Sequence, residues 1–460
     1  MTSAAGGGSW TAEARRAAAE HYQSRLVPPE QAVLAVRSGD FVSVPVGQRV
    51  MLSLAALTAR ALELDDVEVR WLPMTDLGWG GEAFEGHLRS NVIFSSLFSR
   101  DDVNAGRADF SPWWVYGGDK ALMDGREDAR PLDVCLVSVT PPNEWGYVCL
   151  GASLWDARDQ LRLAKTVIAE VSDYIPRTFG DSWVHVSEID WFVENPDPPP
   201  DRSWAYPAAD PWDHPIAEYV ASLVRDGDVV QFGTGSTTGY IPRSGVLDDR
   251  HDLGYFAELT VPGTVELVRK GVITSKYMTT HPGKFITTTA GNGPEDTAFI
   301  NGNPMFEFYS PMYVHHPGVI GKNDNMVAIN NAITVDLTGQ IGASTIGPRS
   351  WSGTGGHLSY AMGAYLSKGG RYICVLPSTA VHGTVSRIVP DLATGQIVTV
   401  PRDLADLVVT EYGIARLLGR TERERARELT AIAHPDFRGE LSKAAFGARQ
   451  FGMPGNLPGA

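Results

Sequence analysis

At 460 residues the chain exceeds one ordinary core, because domains commonly hold about 100–200 residues, and two domains are expected. It is 43% hydrophobic and 20% charged, a globular composition, and its net charge of −15 excludes a nucleic-acid groove, which needs clustered Lys and Arg against phosphate. No segment approaches the roughly 20 apolar residues of a membrane span. Three cysteines (Cys135, Cys149, Cys374) without metal-ligand spacing fit reduced thiols in a cytoplasm better than a disulfide framework.

Met1–Ser9 is small and polar, without the basic end and apolar stretch of a signal peptide, and reads as a frayed tail within a first segment, residues 1–26. Residues 27–194 are expected to form an N-terminal α/β domain. It opens with Ala32-Val-Leu-Ala-Val-Arg-Ser-Gly-Asp40, an apolar helix with a glycine stop, followed by the strand and glycine turn Phe41-Val-Ser-Val-Pro-Val-Gly47. Trp113-Trp114 suits core or interface packing, with an aromatic substrate wall as the alternative. Leu161–Val171 has a helical pattern, and Trp183-Val-His-Val-Ser187 alternates like a strand.

Asn195-Pro-Asp-Pro-Pro-Pro-Asp201 begins a Pro-rich linker over residues 195–211, since proline lacks the amide donor of a helix interior or ladder. Beyond it, residues 212–460 repeat the opening of the first domain. Val220-Ala-Ser-Leu-Val-Arg-Asp-Gly-Asp228 leads into Val229-Val-Gln-Phe-Gly-Thr-Gly235, with the same helix, Arg-x-Gly-Asp stop, strand and glycine turn. This echo predicts an internal duplication: two related open α/β domains with mainly parallel sheets.

Chemistry is carried by a few segments of the second domain. Gly233-Thr-Gly-Ser-Thr237 follows a strand, where free amides face phosphate or thioester oxygen; an ordinary tight turn accounts for it as well. Leu253–Ala257 reads as a buried strand with Glu258 at its end, where open α/β folds bind ligands, before a Pro262-Gly263 turn into a helix over Thr264–Lys270. A carboxylate there serves as nucleophile or base, although a helix N-terminal acid held by the dipole explains it better locally. His315-His316 lies outside any metal motif, and on a strand the two rings would face opposite ways. Ser350-Trp-Ser-Gly-Thr-Gly-Gly-His357 is a loop able to aim amides at a reacting oxygen, or a flexible connection. Tyr372–Leu376 is a short strand, Val408-Val-Thr-Glu411 an apolar strand ending in a carboxylate that is more often solvated than catalytic, and Glu422–Ala433 a charged terminal helix.

Together these segments resemble the acetyl-CoA hydrolase/transferase family from about Val27 to Leu441. The resemblance is strongest in Ala164-Lys-Thr-Val-Ile-Ala-Glu-Val171, Asn303-Pro-Met-Phe-Glu-Phe-Tyr309, Asn323-Asp-Asn-Met-Val-Ala-Ile-Asn330 and Asp336-Leu-Thr-Gly339. It continues through Leu376-Pro-Ser-Thr379, Ser386-Arg-Ile-Val-Pro390, Val409-Thr-Glu-Tyr-Gly413 and Ala433-His-Pro-Asp-Phe437. The resemblance implies a CoA-transferase working by ping-pong through a glutamyl-CoA thioester on Glu258. A hydrolase using the same glutamate, or an inactive CoA-binding or assembly protein, are the alternatives.

By the same resemblance Gly233, Thr234, Gly235, Ser236 and Thr237 form the CoA loop, and Ile333, Ser352 and Gly356 contact CoA. The Gly356 amide also serves the oxyanion, and Glu411 is a second active-site glutamate. CoA and acyl-CoA enter as substrates, with no tightly bound cofactor, no metal, no nucleic acid and no membrane, in a cytoplasmic homodimer. Five features depart from the family pattern. Phe256-Ala257 precede the nucleophile and Pro262 lies in the turn after it. Val381 stands where a CoA-binding lysine is common. His315 and His357, candidates for the substrate pocket, replace an asparagine and a glutamine.

Overall fold

The computed structural model describes residues 11–113, 115–198 and 208–446. The expected tail Met1–Ser9, Trp114 and most of the Pro-rich stretch lie outside the described residues. In the first half the main strands are β1 (Phe41–Ser43), β2 (Val67–Trp71), β3 (Leu88–Val92), β4 (Asp109–Phe110), β5 (Val134–Val139), β6 (Thr166–Val171), β7 (Phe179–Gly180) and β8 (Trp191–Glu194). In the second they are β9 (Val229–Phe232), β10 (Gly254–Leu259), β11 (Phe285–Thr289), β12 (Phe306–Phe308), β13 (Met326–Asn331), β14 (Arg371–Val375), β15 (Leu407–Thr410) and β16 (Gly413–Arg416).

Two large sheets result, ordered β8-β6-β5-β1-β2-β3-β4 and β16-β15-β14-β13-β9-β10-β11-β12-β7. The first is wholly parallel, and the second is parallel except where β16 folds back on β15. Setting β9 against β1 makes the orders coincide strand for strand, with β7 and β16 added at the two edges of the second sheet. The echo seen in sequence reaches single hydrogen bonds. Asp40 Oδ2 accepts from the Arg37 amide at 2.8 Å, and Asp228 Oδ2 from the Arg225 amide at 2.6 Å. Gly39 and Gly227 take the same left-handed turn, with φ of 82° and 76°, which a side chain would strain.

The halves do not fold apart. The edge strand β7, from the first half, pairs in parallel with β12 of the second sheet. One apolar cluster also joins Val137, Val139 and Phe192 to Val230, Tyr255 and Phe285, so a single core runs through both. Burial of these strands on both faces explains their nearly unbroken apolar runs.

Three sequence expectations are corrected. Leu161–Val171 is not one helix: a helix over Ala157–Leu163 ends at Ala164, and β6 begins at Thr166. The Thr-Val-Ile run favours a strand, and an apolar stretch this short satisfies either periodicity. His315 and His316 sit not on a strand but between the helical turns Pro311–Val314 and Pro317–Ile320. The helix Glu422–Ile432, started by a Thr421/Glu424 capping box, is followed by another over Pro435–Phe446 and so is not terminal.

Candidate active site

The chain order reverses around β9: it steps outward through β10, β11 and β12, then returns to the other side of β9 as β13. Open parallel sheets bind ligands outside the carboxyl ends of strands at such a crossing. Glu258, the penultimate residue of β10, is there. Its backbone carbonyl accepts from the hydroxyls of both Thr287 and Thr288 on β11, which fixes the strand end. Its side chain is 17% exposed.

Glu258 is held by a helix N-terminus, though not that of the helix following it in sequence. The glycine loop ends at Gly356, the N-cap of the helix His357–Leu366, and the Gly356 amide donates to Glu258 Oε2 at 2.8 Å. A Cβ on Gly356 would stand 2.2 Å from that oxygen and 2.7 Å from the His315 ring. Only a residue without a side chain lets backbone, carboxylate and imidazole meet here. His315 is fully buried, with Nε2 3.1 Å from Glu258 Oε2 but off the line of a hydrogen bond.

The first half of the chain supplies the rest of the wall. The stretch Ala152–Trp155 lies along the end of β11, where the Leu154 amide donates to the Thr288 carbonyl at 3.0 Å. Trp155 stacks on His315, with ring centres 6.0 Å apart and planes at 21°, while Tyr360 meets the same imidazole edge-on. Trp155 has φ 40°, a left-handed conformation costing a bulky residue about 1–3 kcal/mol and concentrated at functional sites. Phe94 packs on the loop at Gly353.

A clamp from the helix Arg100–Ala105 holds that loop. Asn104 donates to the Ser350 carbonyl and accepts from the Ser350 amide, each at 2.9 Å, while Arg100 donates to the Trp351 carbonyl and stacks on its ring. Asn104→Ala is expected to lower kcat about ten- to a hundredfold, because misplacing a reacting group by about 1 Å carries costs of that order. Steady-state kinetics beside a thermal melt will check this; the melting temperature should barely move. None of Phe94, Asn104 and Trp155 announces itself in sequence, since each acts across the interface between halves.

The remaining sequence candidates spread along the same edge. Gly233 and Gly235 pack against Asn330 and Asn331 at the end of β13: a Cβ on Gly235 would fall 1.4 Å from Asn331 Nδ2. Thr234 and Ser236 are exposed, whereas Thr237 is buried and donates to Asp213 at 2.9 Å, a structural bond. Ser352 turns its hydroxyl onto the Ala343 and Gly353 carbonyls. The Ile333 carbonyl accepts from Arg387 at 3.5 Å.

Glu411, just beyond β15, accepts from the amide and hydroxyl of Ser378, at 2.9 and 2.5 Å. Four strand spacings separate β15 from β10, about 19 Å along the edge, so the strand ends that carry Glu411 and Glu258 stand well apart. Val381, 66% exposed, heads a turn in which Val381 and His382 have φ of 50° and 54°.

His357 lies in the core. Its ring is buried beneath the glycine loop and hydrogen-bonds the Tyr372 hydroxyl. Burial lowers its pKa to about 4, against an ordinary value near 6.5. Between those values the unfolded chain binds more protons than the folded one. Stability is therefore complete above about pH 6.5 and falls as the pH drops toward 4, by up to roughly 1.4 kcal/mol per unit. His357→Gln is expected to flatten that part of the urea-denaturation profile. Among the described residues no cluster of three or more His, Cys, Asp or Glu has metal-holding geometry, and no helix is long and apolar enough to cross a membrane.

With this geometry in hand, comparisons with known proteins converge. The N-terminal domain model of the acetyl-CoA hydrolase/transferase family matches residues 11–200 and the C-terminal domain model matches residues 295–445. Glu258 falls between the two matched stretches, so its reading rests on the geometry. The chain is 40% identical to 4-hydroxybutyrate coenzyme A transferase of Clostridium kluyveri, over 92% of this chain and 97% of that protein. It is 36% identical to succinyl-CoA:cyclohexane-1-carboxylate CoA transferase of Geobacter metallireducens, over 94% and 97%. Among solved structures, RipA from Yersinia pestis superposes with a TM-score of 0.86 at 32% identity, over 93% of this chain and 98% of that one.

Proposed function

The chain belongs to the acetyl-CoA hydrolase/transferase family, and from that membership and the setting of Glu258 we propose that it moves coenzyme A between an acyl-CoA and a carboxylic acid through a glutamyl-CoA thioester. It is an enzyme acting on acyl-CoA, and the single observation that carries the mechanism is the Glu258 carboxylate at the carboxyl edge of the sheet, its Oε2 bonded by the Gly356 amide.

A Glu258 oxygen attacks the thioester carbonyl, the C–S bond breaks, and CoA thiolate leaves a mixed anhydride. The thiolate then attacks Cδ of Glu258, and the anhydride C–O bond breaks. The first acid departs with one glutamate oxygen, leaving the CoA thioester on the enzyme. An incoming carboxylate reverses both steps and restores Glu258. The covalent route divides one difficult exchange into easier ones. At each tetrahedral stage on Cδ, negative charge grows on the retained oxygen, where a positioned amide is worth about 3–4 kcal/mol. The extended arm of CoA runs along the edge from Glu258 past Gly233–Thr237 and Ile333 toward Ser378 and Glu411, which makes Glu411 a group at the far end of the bound arm. In this reading the protein works as a cytoplasmic homodimer.

Exchange of isotopic label between acyl-CoA and its free acid tests this directly. A transferase exchanges label, a hydrolase only releases acid, and an inactive binding protein does neither.

A further inference from the structure

We propose that the groove between the helices Glu422–Ile432 and Pro435–Phe446 is a binding site for a phosphorylated nucleoside, gripped by Arg423, Arg427 and Arg438. It stands apart from the chemistry on Glu258 and does not rest on that glutamate being the nucleophile.

The two helices share one apolar cluster through Ala426, Leu429, Ile432, Leu441 and Ala445. Over that seam lies a hollow of about 300 Å³, the lower end of the range for small-ligand sites. Arg423, Arg427 and Ala431 line it at i, i+4 and i+8 along one helix, and Arg438 and Ser442 at i and i+4 along the other. Among the described residues no carboxylate lines the hollow, in a chain of net charge −15. The acids of the first helix are engaged elsewhere: Glu422 with Arg402, Glu424 with the Thr421 amide and Glu428 with the Arg416 amide. Guanidinium groups gathered in this way repel one another, and an anion between them removes the repulsion. Thr430, also on the lining, has a buried hydroxyl with no hydrogen-bond partner among the described residues. A hydroxyl left unbonded is costly, and a phosphate oxygen accepts its proton.

The chemistry of the walls names the ligand class. Guanidinium forks match phosphate oxygens two at a time, and their planes stack on flat rings. Ala426, Ala431 and Ala445 give the hollow an apolar base without bulk, which suits a planar nucleobase better than a second charged group. Phosphate at the cationic rim and base on the alanines is the arrangement of a phosphorylated nucleoside. The groove also adjoins the carboxyl edge of the second sheet. The Ile432 carbonyl accepts from the Thr410 hydroxyl, and the Arg438 guanidinium lies 5.5 Å from the Tyr412 ring centre, on either side of Glu411 in sequence. Two sources share this chemistry: the nucleotide end of CoA and a free nucleotide.

Calorimetry on the intact protein, with adenosine 3′,5′-bisphosphate, ADP and adenosine as probes, tests this. A phosphorylated probe should bind, with adenosine at least about tenfold weaker. Arg427→Gln and Ser442→Asp should each weaken that binding about ten- to a hundredfold. Lys443→Gln, the same change of one charge beside the hollow but off its lining, should leave it unchanged. Thermal melts identify a variant that fails to fold; should Ser442→Asp do so, Arg427→Gln against Lys443→Gln carries the comparison. Kinetics with the fastest donor among acetyl-, butyryl- and succinyl-CoA, and with its pantetheine thioester, assign the source. If the end of CoA occupies the groove, Arg427→Gln raises KM for acyl-CoA about tenfold and leaves the pantetheine thioester unchanged. If a free nucleotide does, both KM values stay within about twofold and only probe binding is lost. No binding of either phosphorylated probe, binding that survives Arg427→Gln, or an equal loss in Lys443→Gln would overturn the proposal. Probe binding is read without turnover, so failure of the Glu258 reading leaves this result standing.

Discussion

Turnover of acyl-CoA by Glu258→Gln is expected to fall by about 10⁴-fold or more, with the fold and acyl-CoA affinity preserved. Glutamine keeps the shape of the side chain and can still present an oxygen to the Gly356 amide. It offers no carboxylate to attack the thioester carbonyl, so neither anhydride nor enzyme thioester forms. Label exchange and acid release should vanish together, because both resolve the same intermediate. Acyl-CoA binding by calorimetry and a thermal melt complete the comparison. A variant with wild-type turnover would remove Glu258 from the chemistry.

Gly356→Ala is expected to lower kcat about 10²- to 10³-fold, the range lost with one oxyanion donor. The backbone at Gly356, with φ −83° and ψ 0°, is open to alanine, so the substitution reads the contact rather than the conformation. The added methyl would stand 2.2 Å from Glu258 Oε2 and 2.7 Å from His315. Neither the strand end pinned by Thr287 and Thr288 nor the ring between Trp155 and Tyr360 has room to yield. The carboxylate must leave its donor. Stopped-flow kinetics should show the loss in kcat, with little change in the denaturation midpoint. Near-normal kcat would mean that the amide contact has no part in the reaction.

The fold was readable because its signals are local. The Arg-x-Gly-Asp stops at Arg37–Asp40 and Arg225–Asp228 are short turns whose glycine and aspartate each have a backbone reason, and both recur in the structure with the same hydrogen bond. Where local signals conflict, reading fails: Leu161–Val171 is apolar enough for helix or strand, and β-branching at Thr166–Ile168 decides it.

The site was legible only where one residue type carries its meaning. Glu258 and the glycines before His357 were visible as chemistry in local sequence, but only the family resemblance joined them across 98 positions. Local sequence attributed Glu258 to the helix that follows it; the structure gives it the N-terminus of the helix His357–Leu366 instead. His357 looked like a wall of the pocket, and burial against Tyr372 puts it in the core. Trp155, Phe94 and Asn104 carried no signal, because their partners lie on the other half of the chain.

Intact-protein and peptide mass spectrometry after brief incubation with acyl-CoA is the most direct measurement of the central claim. The account predicts one CoA per chain, linked through a thioester to the peptide containing Glu258, lost on adding hydroxylamine or acceptor acid and absent from Glu258→Gln. A turning-over enzyme with no such adduct, or with CoA on another residue, would contradict it.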